Sequence, residues 1–219
     1  MTVESRELHR LLEEVQDEVR ATAHLTGCAA LGQRVLQVLR TVPRHAFVPA
    51  ELAESAYANH PLPIGHGQTI SQPYIVALMT ALIQPEEEDV VLEVGTGSGY
   101  QAAILAELGA EVWSIELDEP LGRSAAHLLD ELGYHIHLRI GDGRLGWPEA
   151  APFDRIVATA AGPTLPPAWI EQLEIGGSLV APLGPPGGDQ MLELVEKQGE
   201  GQVARRVVLP VRFVPLRHD

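Results

Sequence analysis

The start of the chain carries apolar residues at the three- and four-residue spacing of amphipathic helices. The apolar positions between Glu4 and Arg20 are Leu8, Leu11, Leu12, Val15 and Val19. Their periodicity predicts a helix with one buried face. A second helix is predicted from Gln33 to Thr41, because Pro43 cannot continue it. The chain is therefore expected to open with a helical cap.

The segment from Pro43 to Ile70 has no such periodicity. It is rich in proline and glycine, and only a short helix near Glu51 to Tyr57 is predicted within an otherwise irregular pattern. A long irregular stretch inside a compact domain is more often functional than not. We therefore expect this segment to contribute to a functional site.

From Asp89 onward, short apolar runs alternate with helical segments. The predicted strands are Asp89–Val94, Glu111–Ile115, Ile136–Ile140, Arg155–Ala158 and Ser178–Ala181. One helix is predicted to follow the first strand as far as about Leu108, and another runs from about Pro120 to Leu132. This alternation predicts an α/β fold with a doubly wound, mostly parallel, Rossmann-like sheet.

The C-terminal region has a different pattern. Two runs, Met191–Lys197 and Val203–Leu209, predict an antiparallel hairpin that turns at Gln198 to Gly201. The order of the last strands in the sheet stays open. We interpret residues 1–219 as a single domain, with the helices and a functional loop in 1–88 and the Rossmann-like core in 89–219.

Composition narrows the class of protein. Hydrophobic residues make up 45% of the 219 residues, and no apolar run approaches the ~20 residues of a membrane helix. The single cysteine, Cys28, excludes an internal disulfide and a cysteine-based zinc site. The N-terminus from Met1 to Arg20 is unlike a secretory signal. A cytoplasmic protein that does not associate with membranes is therefore expected.

The chain is also strongly acidic. Its formal net charge is −15, and it contains one lysine, Lys197, and fourteen arginines. A charge of this sign repels phosphate backbones, so nucleic acid is not an expected partner. Recognition of an anionic substrate would have to rely on local contacts.

A glycine-rich loop follows the first strand of the alternating region. Within Glu93–Gly99 (EVGTGSG), Gly95, Gly97 and Gly99 lead from a strand into a helix. Glycine lets a ligand approach the backbone closely, and open α/β sheets bind ligands at the carboxyl ends of their strands. The sequence Gly97–Ala102 also fits the G-x-G-x-x-A pattern of nicotinamide enzymes, which is weak evidence by itself. A tight turn without a ligand is a further alternative.

Three acids at successive strand ends distinguish between nucleotide cofactors. Glu116 ends the second strand, where a carboxylate can accept hydrogen bonds from both ribose hydroxyls. Asp142 follows the third strand, where a carboxylate can meet an adenine amino group. Glu93 can face an ammonium group, which S-adenosylmethionine has and NAD lacks. Together the acids favour S-adenosylmethionine, although solvated strand caps are the alternative interpretation.

Five segments resemble a known family in sequence and in order. They are Val42–Pro49 (VPRHAFVP), Pro61–Pro73, Leu92–Ala102, Gly141–Gly143 and Arg212–Leu216. From about Arg34 to Leu216 the chain resembles protein-L-isoaspartate O-methyltransferase. The most specific piece is Gly67–Pro73 (GQTISQP), which general methyltransferases lack.

The resemblance implies an S-adenosylmethionine-dependent enzyme of the class I methyltransferase fold. Its implied activity is methylation of the free α-carboxylate of L-isoaspartyl residues in age-damaged proteins, which starts their repair. The implied partners are those damaged proteins. We expect the enzyme to be a monomer. We also expect it to bind no metal, since no His, Asp and Glu residues stand at metal-ligand spacing.

The resemblance also implies roles for particular residues. Ser71 matches the active-site serine, beside donor and substrate. The expected donor-binding residues, with the glycine loop included, are Gln68, Thr69, Ile70, Ser71, Glu93, Gly95, Gly97, Gly99, Glu116, Asp142 and Gly143. The expected substrate-binding residues are Val214, Pro215 and Leu216.

Ser71 has a second interpretation from the local sequence. It precedes Gln72 and Pro73, and an apolar-periodic run continues to Ile83. This pattern predicts a helix with Ser71 as its N-cap and proline in its first turn. A cap and a catalytic role can coexist, because a helix N-terminus also favours a bound carboxylate.

Three other functions stay open at this point. A small-molecule methyltransferase could share the glycine loop and the acids, but the Gly67–Pro73 segment argues against it. A nicotinamide oxidoreductase is opposed by Glu93. A non-catalytic module that has kept the donor pocket is opposed by the presence of Ser71, Glu93 and Asp142.

Overall fold

A central β-sheet flanked by helices organises the chain in the computed structural model, which describes residues 3–185 and 187–218. The strands are β1 (Leu62–Gly65), β2 (Gln68–Ile70), β3 (Val90–Val94), β4 (Glu111–Glu116), β5 (His137–Ile140), β6 (Phe153–Ala158), β7 (Leu173–Leu183), β8 (Gln190–Gly199) and β9 (Gln202–Val211). The α-helices are α1 (Val3–Thr26), α2 (Gln33–Thr41), α3 (Pro73–Ile83), α4 (Tyr100–Glu107), α5 (Glu119–Glu131) and α6 (Pro167–Gln172).

The large sheet has the strand order β5-β4-β3-β6-β7-β8-β9. Strands β3 to β7 run parallel, whereas β8 is antiparallel to both of its neighbours. The chain moves outward from β3 through β4 to β5 and then returns to β6 on the other side of β3. This reversal makes a topological switch point between β3 and β6, where sheets of this type bind ligands. The predicted doubly wound sheet and C-terminal hairpin are confirmed.

Successive residues of the central strands face two separate cores, as the two-residue period of a strand requires. Val91 and Val157 belong to the larger core, which they share with α1 to α4. Their neighbours Leu92 and Ile156 belong to the smaller core, which includes Trp169 of α6. The central strands β3 and β6 are therefore covered on both faces, which explains their largely apolar sequences.

The N-terminal helix is longer than its periodicity predicted and continues to Thr26. Its buried residues include Leu11, Leu12, Val15 and Val19. These side chains pack within the larger core, where α1 contacts α3 and β9. No helix in the described part of the chain has the length and apolar character that a membrane crossing requires.

The segment between α2 and α3 is more regular than its sequence predicted. Strands β1 and β2 pair as a small antiparallel hairpin, with Leu62 opposite Ile70. The helix expected near Glu51 to Tyr57 is a 3₁₀ helix over Ala50–Ser55. The hairpin was missed because its strands have three or four residues each, too few for an alternating pattern to emerge.

The predicted N-cap of α3 is also wrong. The residue at the cap position is Gln72, and its side chain makes no capping hydrogen bond. The acceptor comes instead from Asn59, whose Oδ1 accepts from the backbone N–H of Tyr74 at 3.0 Å. Ser71 therefore lies just outside the helix and has no capping role.

Candidate active site

The first of two adjoining cavities lies at the carboxyl ends of β3 and β4. Its walls include most of the residues that the sequence singled out: Gln68, Thr69, Ile70, Ser71, Glu93, Gly95, Gly97, Glu116, Gly143, Val214, Pro215 and Leu216. Gly99 and Asp142 do not line it. The structure thus brings the glycine loop, the β1–β2 hairpin and the C-terminal segment together at one edge of the sheet.

The second cavity has a volume of about 530 Å³. Its walls come from α1, the start of α3 and the end of β9 with the residues that follow. Four residues line both cavities, namely Thr69, Ser71, Thr159 and Val214. These four form a shared wall, at which molecules held in the two cavities would meet.

Glu93 is the most strongly perturbed acid of the first cavity. It is fully buried, and this burial raises the pKa of its carboxyl group to about 8, against the opposing effect of a hydrogen bond from Ser114. The Ser114 hydroxyl donates to Oε2, whereas Oε1 has no hydrogen-bond partner in the described chain. An unpartnered buried carboxylate oxygen costs free energy unless a donor reaches it. A cationic ligand in the first cavity would supply such a donor.

Glu116 lies at the end of β4 and is held by the backbone. Its Oε2 accepts from the N–H of Gly97 at 2.8 Å, and its Oε1 accepts from the N–H of Asp118 at 3.0 Å. An ionised carboxylate has about four lone-pair sites, so each oxygen can accept a further hydrogen bond. The side chain is therefore fixed at the cavity wall and able to accept from ligand hydroxyls.

Two glycines of the loop are required for different reasons. Gly95 has a φ of +96°, and a Cβ there would lie 2.5 Å from the Thr159 hydroxyl oxygen. Gly99 has a φ of +88° and precedes the first residue of α4, where a Cβ would lie 3.0 Å from Leu129. Gly95 keeps the cavity wall closely packed, whereas Gly99 serves the strand-to-helix turn and the packing of α5.

Asp142 is engaged by a neighbouring cation. Its carboxylate accepts from the backbone N–H of Arg144 at 3.0 Å and from the guanidinium of the same residue at 2.6–3.0 Å. The Arg144 hydrogen bonds hold the pKa of this carboxyl below its usual range. The next residue, Gly143, does line the first cavity. Asp142 can therefore reach a ligand there only by sharing or exchanging its contact with Arg144.

The backbone at Ser71 is fixed from the protein interior by Arg44. The guanidinium of this buried arginine donates to the carbonyl oxygens of Ser71 at 2.8 Å and Ala56 at 2.9 Å. It also lies 4.9 Å from the centre of the Tyr100 ring. The Ser71 hydroxyl has no hydrogen bond to another described residue, so it is available to a ligand at the shared wall.

Sequence reasoning missed Thr159, another residue of the shared wall. Thr159 follows β6, and its N–H donates to the carbonyl oxygen of Val94 at 2.9 Å. Its hydroxyl donates to the carbonyl oxygen of Gly95. The available signal was its place at the carboxyl end of a predicted strand, but only the sheet order shows that β6 is the neighbour of β3.

The C-terminal segment reaches the site by pairing with the loop after β6. The backbone N–H of Ala161 donates to the carbonyl oxygen of Val214, and the backbone N–H of Leu216 donates to the carbonyl oxygen of Ala161, both at 2.8 Å. Val214 lines both cavities, whereas Pro215 and Leu216 line only the first. Of the three residues expected at the substrate, Val214 is thus the one placed at the second cavity.

The fold is shared with solved structures. One named protein-L-isoaspartate O-methyltransferase superposes with a TM-score of 0.82 at 24% identity, over 95% of this chain and 65% of that one. A Plasmodium falciparum protein described under the same name, in complex with S-adenosyl-L-homocysteine, gives a TM-score of 0.79 at 21% identity, over 96% and 98% of the two chains. Both likenesses establish the fold.

Sequence similarity identifies the family. The profile of the family described as protein-L-isoaspartate(D-aspartate) O-methyltransferase matches residues 23–219. A relative of that name from Nitrosospira multiformis is 55% identical over 92% of this chain and 86% of its own length. Another relative of that name, from Polaromonas, is 54% identical over 94% of this chain and 98% of its own length. With this similarity and the geometry above, the chain belongs to the protein-L-isoaspartate(D-aspartate) O-methyltransferase family.

Proposed function

We propose that this protein transfers a methyl group from S-adenosylmethionine to the free α-carboxylate of L-isoaspartyl residues in damaged proteins, the step that initiates their repair. Family membership supports the reaction and the protein substrate. The observation that carries the proposal is the shared wall of Thr69, Ser71, Thr159 and Val214. A donor in the first cavity and an acceptor in the second would have their reacting atoms at this wall.

The first cavity fits the proposed donor. The unpartnered, buried Oε1 of Glu93 can accept from the ammonium group of S-adenosylmethionine, and that positive charge would favour the ionised carboxylate. A pyrophosphate cofactor would instead bring negative charge to this acid, which disfavours a nicotinamide enzyme. We assign the ribose hydroxyls to Glu116, whose fixed carboxylate lines the cavity.

The remaining donor contacts are proposed from the residues that line the first cavity. They are Gln68, Thr69, Ile70, Gly95, Gly97 and Gly143, together with Pro215 and Leu216. Asp142 is proposed to reach the adenine amino group by exchanging its contact with Arg144. Gly99 acts through the turn that shapes the loop.

The main requirement of the proposed reaction is that the acceptor carboxylate and the methyl donor are correctly positioned. Bound S-adenosylmethionine supplies an activated methyl group on a cationic sulfonium. The acceptor carboxylate is already ionised at neutral pH, so the chain needs no general base. The positive charge of the sulfonium and the negative charge of the carboxylate are both lost during methyl transfer. A site that excludes water favours such a loss of charge. In our proposal the Ser71 hydroxyl donates a hydrogen bond to the acceptor carboxylate and orients it, while Arg44 holds the backbone of Ser71 in place.

A methylation assay on paired peptides tests this function. The two peptides have the same sequence and differ only in an L-aspartyl or L-isoaspartyl linkage at one position. With labelled S-adenosylmethionine, we expect methyl transfer to the isoaspartyl peptide and background transfer to its aspartyl twin. Equal labelling of both peptides, or of neither, would contradict the proposal. Calorimetry with S-adenosylhomocysteine and NADH checks the donor separately, and only the first is expected to bind.

A further inference from the structure

The wall of the second cavity contains an acid that the proposed reaction does not use. Glu18, Thr22 and Leu25 of α1 line this cavity together with Ser71 of the shared wall. Glu18 is half-buried there. A substrate chain that places its isoaspartyl carboxylate at Ser71 would therefore extend through a space that also exposes the Glu18 carboxylate.

Glu18 is fixed by neutral donors. Its Oε2 accepts from Asn59 Nδ2 at 2.8 Å and from Gln72 Nε2 at 3.1 Å. Gln72 also donates to the Asn59 carbonyl oxygen at 3.1 Å, and Asn59 caps α3 through Tyr74. These amides hold the carboxylate in one orientation without neutralising its charge.

In the described part of the chain, no lysine, arginine or histidine forms an ion pair with Glu18. Arg212 also lines the second cavity, but it forms no ion pair with Glu18. A carboxylate held by neutral donors in a partly buried cavity keeps sites that a cation can fill, and such charge-assisted hydrogen bonds are among the stronger ones. Apolar neighbours in the cavity, such as Leu209 and Phe213, suit the aliphatic stem of a long basic side chain.

We propose that Glu18 is a specificity-determining residue that binds a cationic group of the substrate chain near the isoaspartyl residue. This inference rests on the proposed function, because it assigns the second cavity to the substrate. The cation is a lysine or arginine side chain, or a free peptide α-amine. Glu18 lies before residue 23, where the family match begins, so the family profile does not assign this residue.

A peptide series measures this preference. Each isoaspartyl peptide is acetylated and carries one lysine at a single position from three residues before to three residues after the isoaspartate. A matched series carries norleucine, which has a similar stem without the charge. For wild type we expect kcat/KM to be about tenfold higher with lysine than with norleucine at one position. A further norleucine peptide with a free N-terminus tests the α-amine as the source of the cation.

Two variants of Glu18 test whether a preference for lysine peptides comes from a contact with Glu18 or from attraction of the peptide to the net negative charge of the protein. In Glu18→Gln the lysine-to-norleucine ratio should fall to near one at the preferred position. In Glu18→Lys a glutamate peptide should replace the lysine peptide as the better substrate. The matched control is Glu14→Gln, the same charge change at an exposed position of the same helix, and it should keep the wild-type ratio. At higher salt the position-specific ratio should persist, because partly buried pairs are screened less than distant charges.

The outcomes distinguish this inference from the proposed function. If wild type methylates no isoaspartyl peptide, the proposed function fails. If it methylates them with equal kcat/KM for lysine and norleucine at every position, and for the free and acetylated N-termini, only the Glu18 inference fails. The inference is also overturned if Glu18→Gln lowers the melting temperature but keeps the wild-type ratio, since Glu18 would then only anchor α1 to Asn59 and Gln72.

Discussion

The two cavities differ in how the chain assembles their walls. The first is centred on one continuous stretch of the chain, Glu93–Ser98, at the ends of neighbouring parallel strands, and the β1–β2 hairpin and the C-terminal segment complete its wall. The second is assembled from α1, the segment around α3 and the end of β9, which lie far apart in the sequence. The centre of the proposed donor site is therefore a local motif at the ends of the strands, although distant segments complete it. Recognition of the acceptor depends on how distant segments pack, and it can vary without changing the motif.

The largest effect is expected at Glu93, which belongs to the first cavity alone. Its pKa in the folded protein, about 8, lies above its usual value of 4.5, so the folded state binds the proton more tightly. The resulting stabilisation is complete below about pH 4.5 and is lost as the pH rises through 8, by up to roughly 5 kcal/mol. In Glu93→Gln the free energy of unfolding, measured with denaturant, should change far less over this range.

Exposed Glu119 provides the control for Glu93, because Glu119→Gln should keep the wild-type pH dependence. Binding of S-adenosylhomocysteine at pH 7 should also release a proton from wild type but not from Glu93→Gln. Calorimetry in buffers of different ionisation enthalpy measures that release. Equal pH slopes for Glu93→Gln and wild type would show that the buried carboxyl is not the linked group.

The next effect concerns Ser71, where the two cavities meet. Ser71→Ala should lower peptide methylation by about a hundredfold, because it removes a hydrogen bond to the acceptor carboxylate. Donor affinity should be retained, and the free energy of unfolding should change by less than about 0.5 kcal/mol, since Ser71 caps no helix.

Asn59→Ala provides the contrast to Ser71→Ala, because it removes the cap of α3 and should cost about 0.5–2 kcal/mol of stability. The two variants together separate the cap from the catalytic role. A Ser71→Ala protein that is destabilised by that amount yet methylates peptide at the wild-type rate would reverse the assignment.

A smaller effect is expected at Glu116 of the first cavity. Glu116→Gln should weaken the binding of S-adenosylhomocysteine by about tenfold, because hydrogen bonds to a charged acceptor contribute about 1.5–3 kcal/mol and part of this is retained by the amide. The melting temperature should also fall, because Gly97 and Asp118 lose their charged acceptor. Isothermal calorimetry gives the affinity, and unchanged affinity would leave Glu116 as a support for the loop only.

The smallest effect is expected at Arg144, which competes for Asp142. Arg144→Gln should raise donor affinity by roughly two- to fivefold, the scale of an exposed ion pair, because Asp142 would become available to the adenine amino group. Arg123→Gln, which breaks an exposed pair with Glu119, should leave donor affinity unchanged. Weaker binding in Arg144→Gln would indicate that the pair shapes the cavity and that Asp142 does not bind the donor.

The sequence predicted the first cavity more completely than the second. In the first cavity, the sequence identified four residues that line it, because a strand, a glycine turn, a helix and a second strand follow one another with clear apolar patterns. These residues are Glu93, Gly95, Gly97 and Glu116. Thr159 was missed, since its approach to Gly95 depends on the pairing of β6 with β3.

The role of Ser71 shows the limit of local patterns. Serine before Gln-Pro and an apolar run predicted a cap, but the cap acceptor is Asn59, which reaches the helix from outside its local sequence. The β1–β2 hairpin was likewise missed, because strands of three or four residues have no distinctive period. The cap depends on a contact between residues 15 positions apart, which local propensity does not encode, whereas the hairpin is local but too short for its pattern to emerge.

By itself the sequence determined the alternating α/β core, the glycine loop, the acids at the strand ends and, through five ordered segments, the family. These features are set by neighbours in the chain, whose spacing and turn chemistry act locally. Only the tertiary structure decided the order of β6 to β9, the shared wall, the pairing of Asp142 with Arg144 and the place of Glu18 in the second cavity. The physical reason is that burial and hydrogen bonding between distant segments select among arrangements that are locally equivalent.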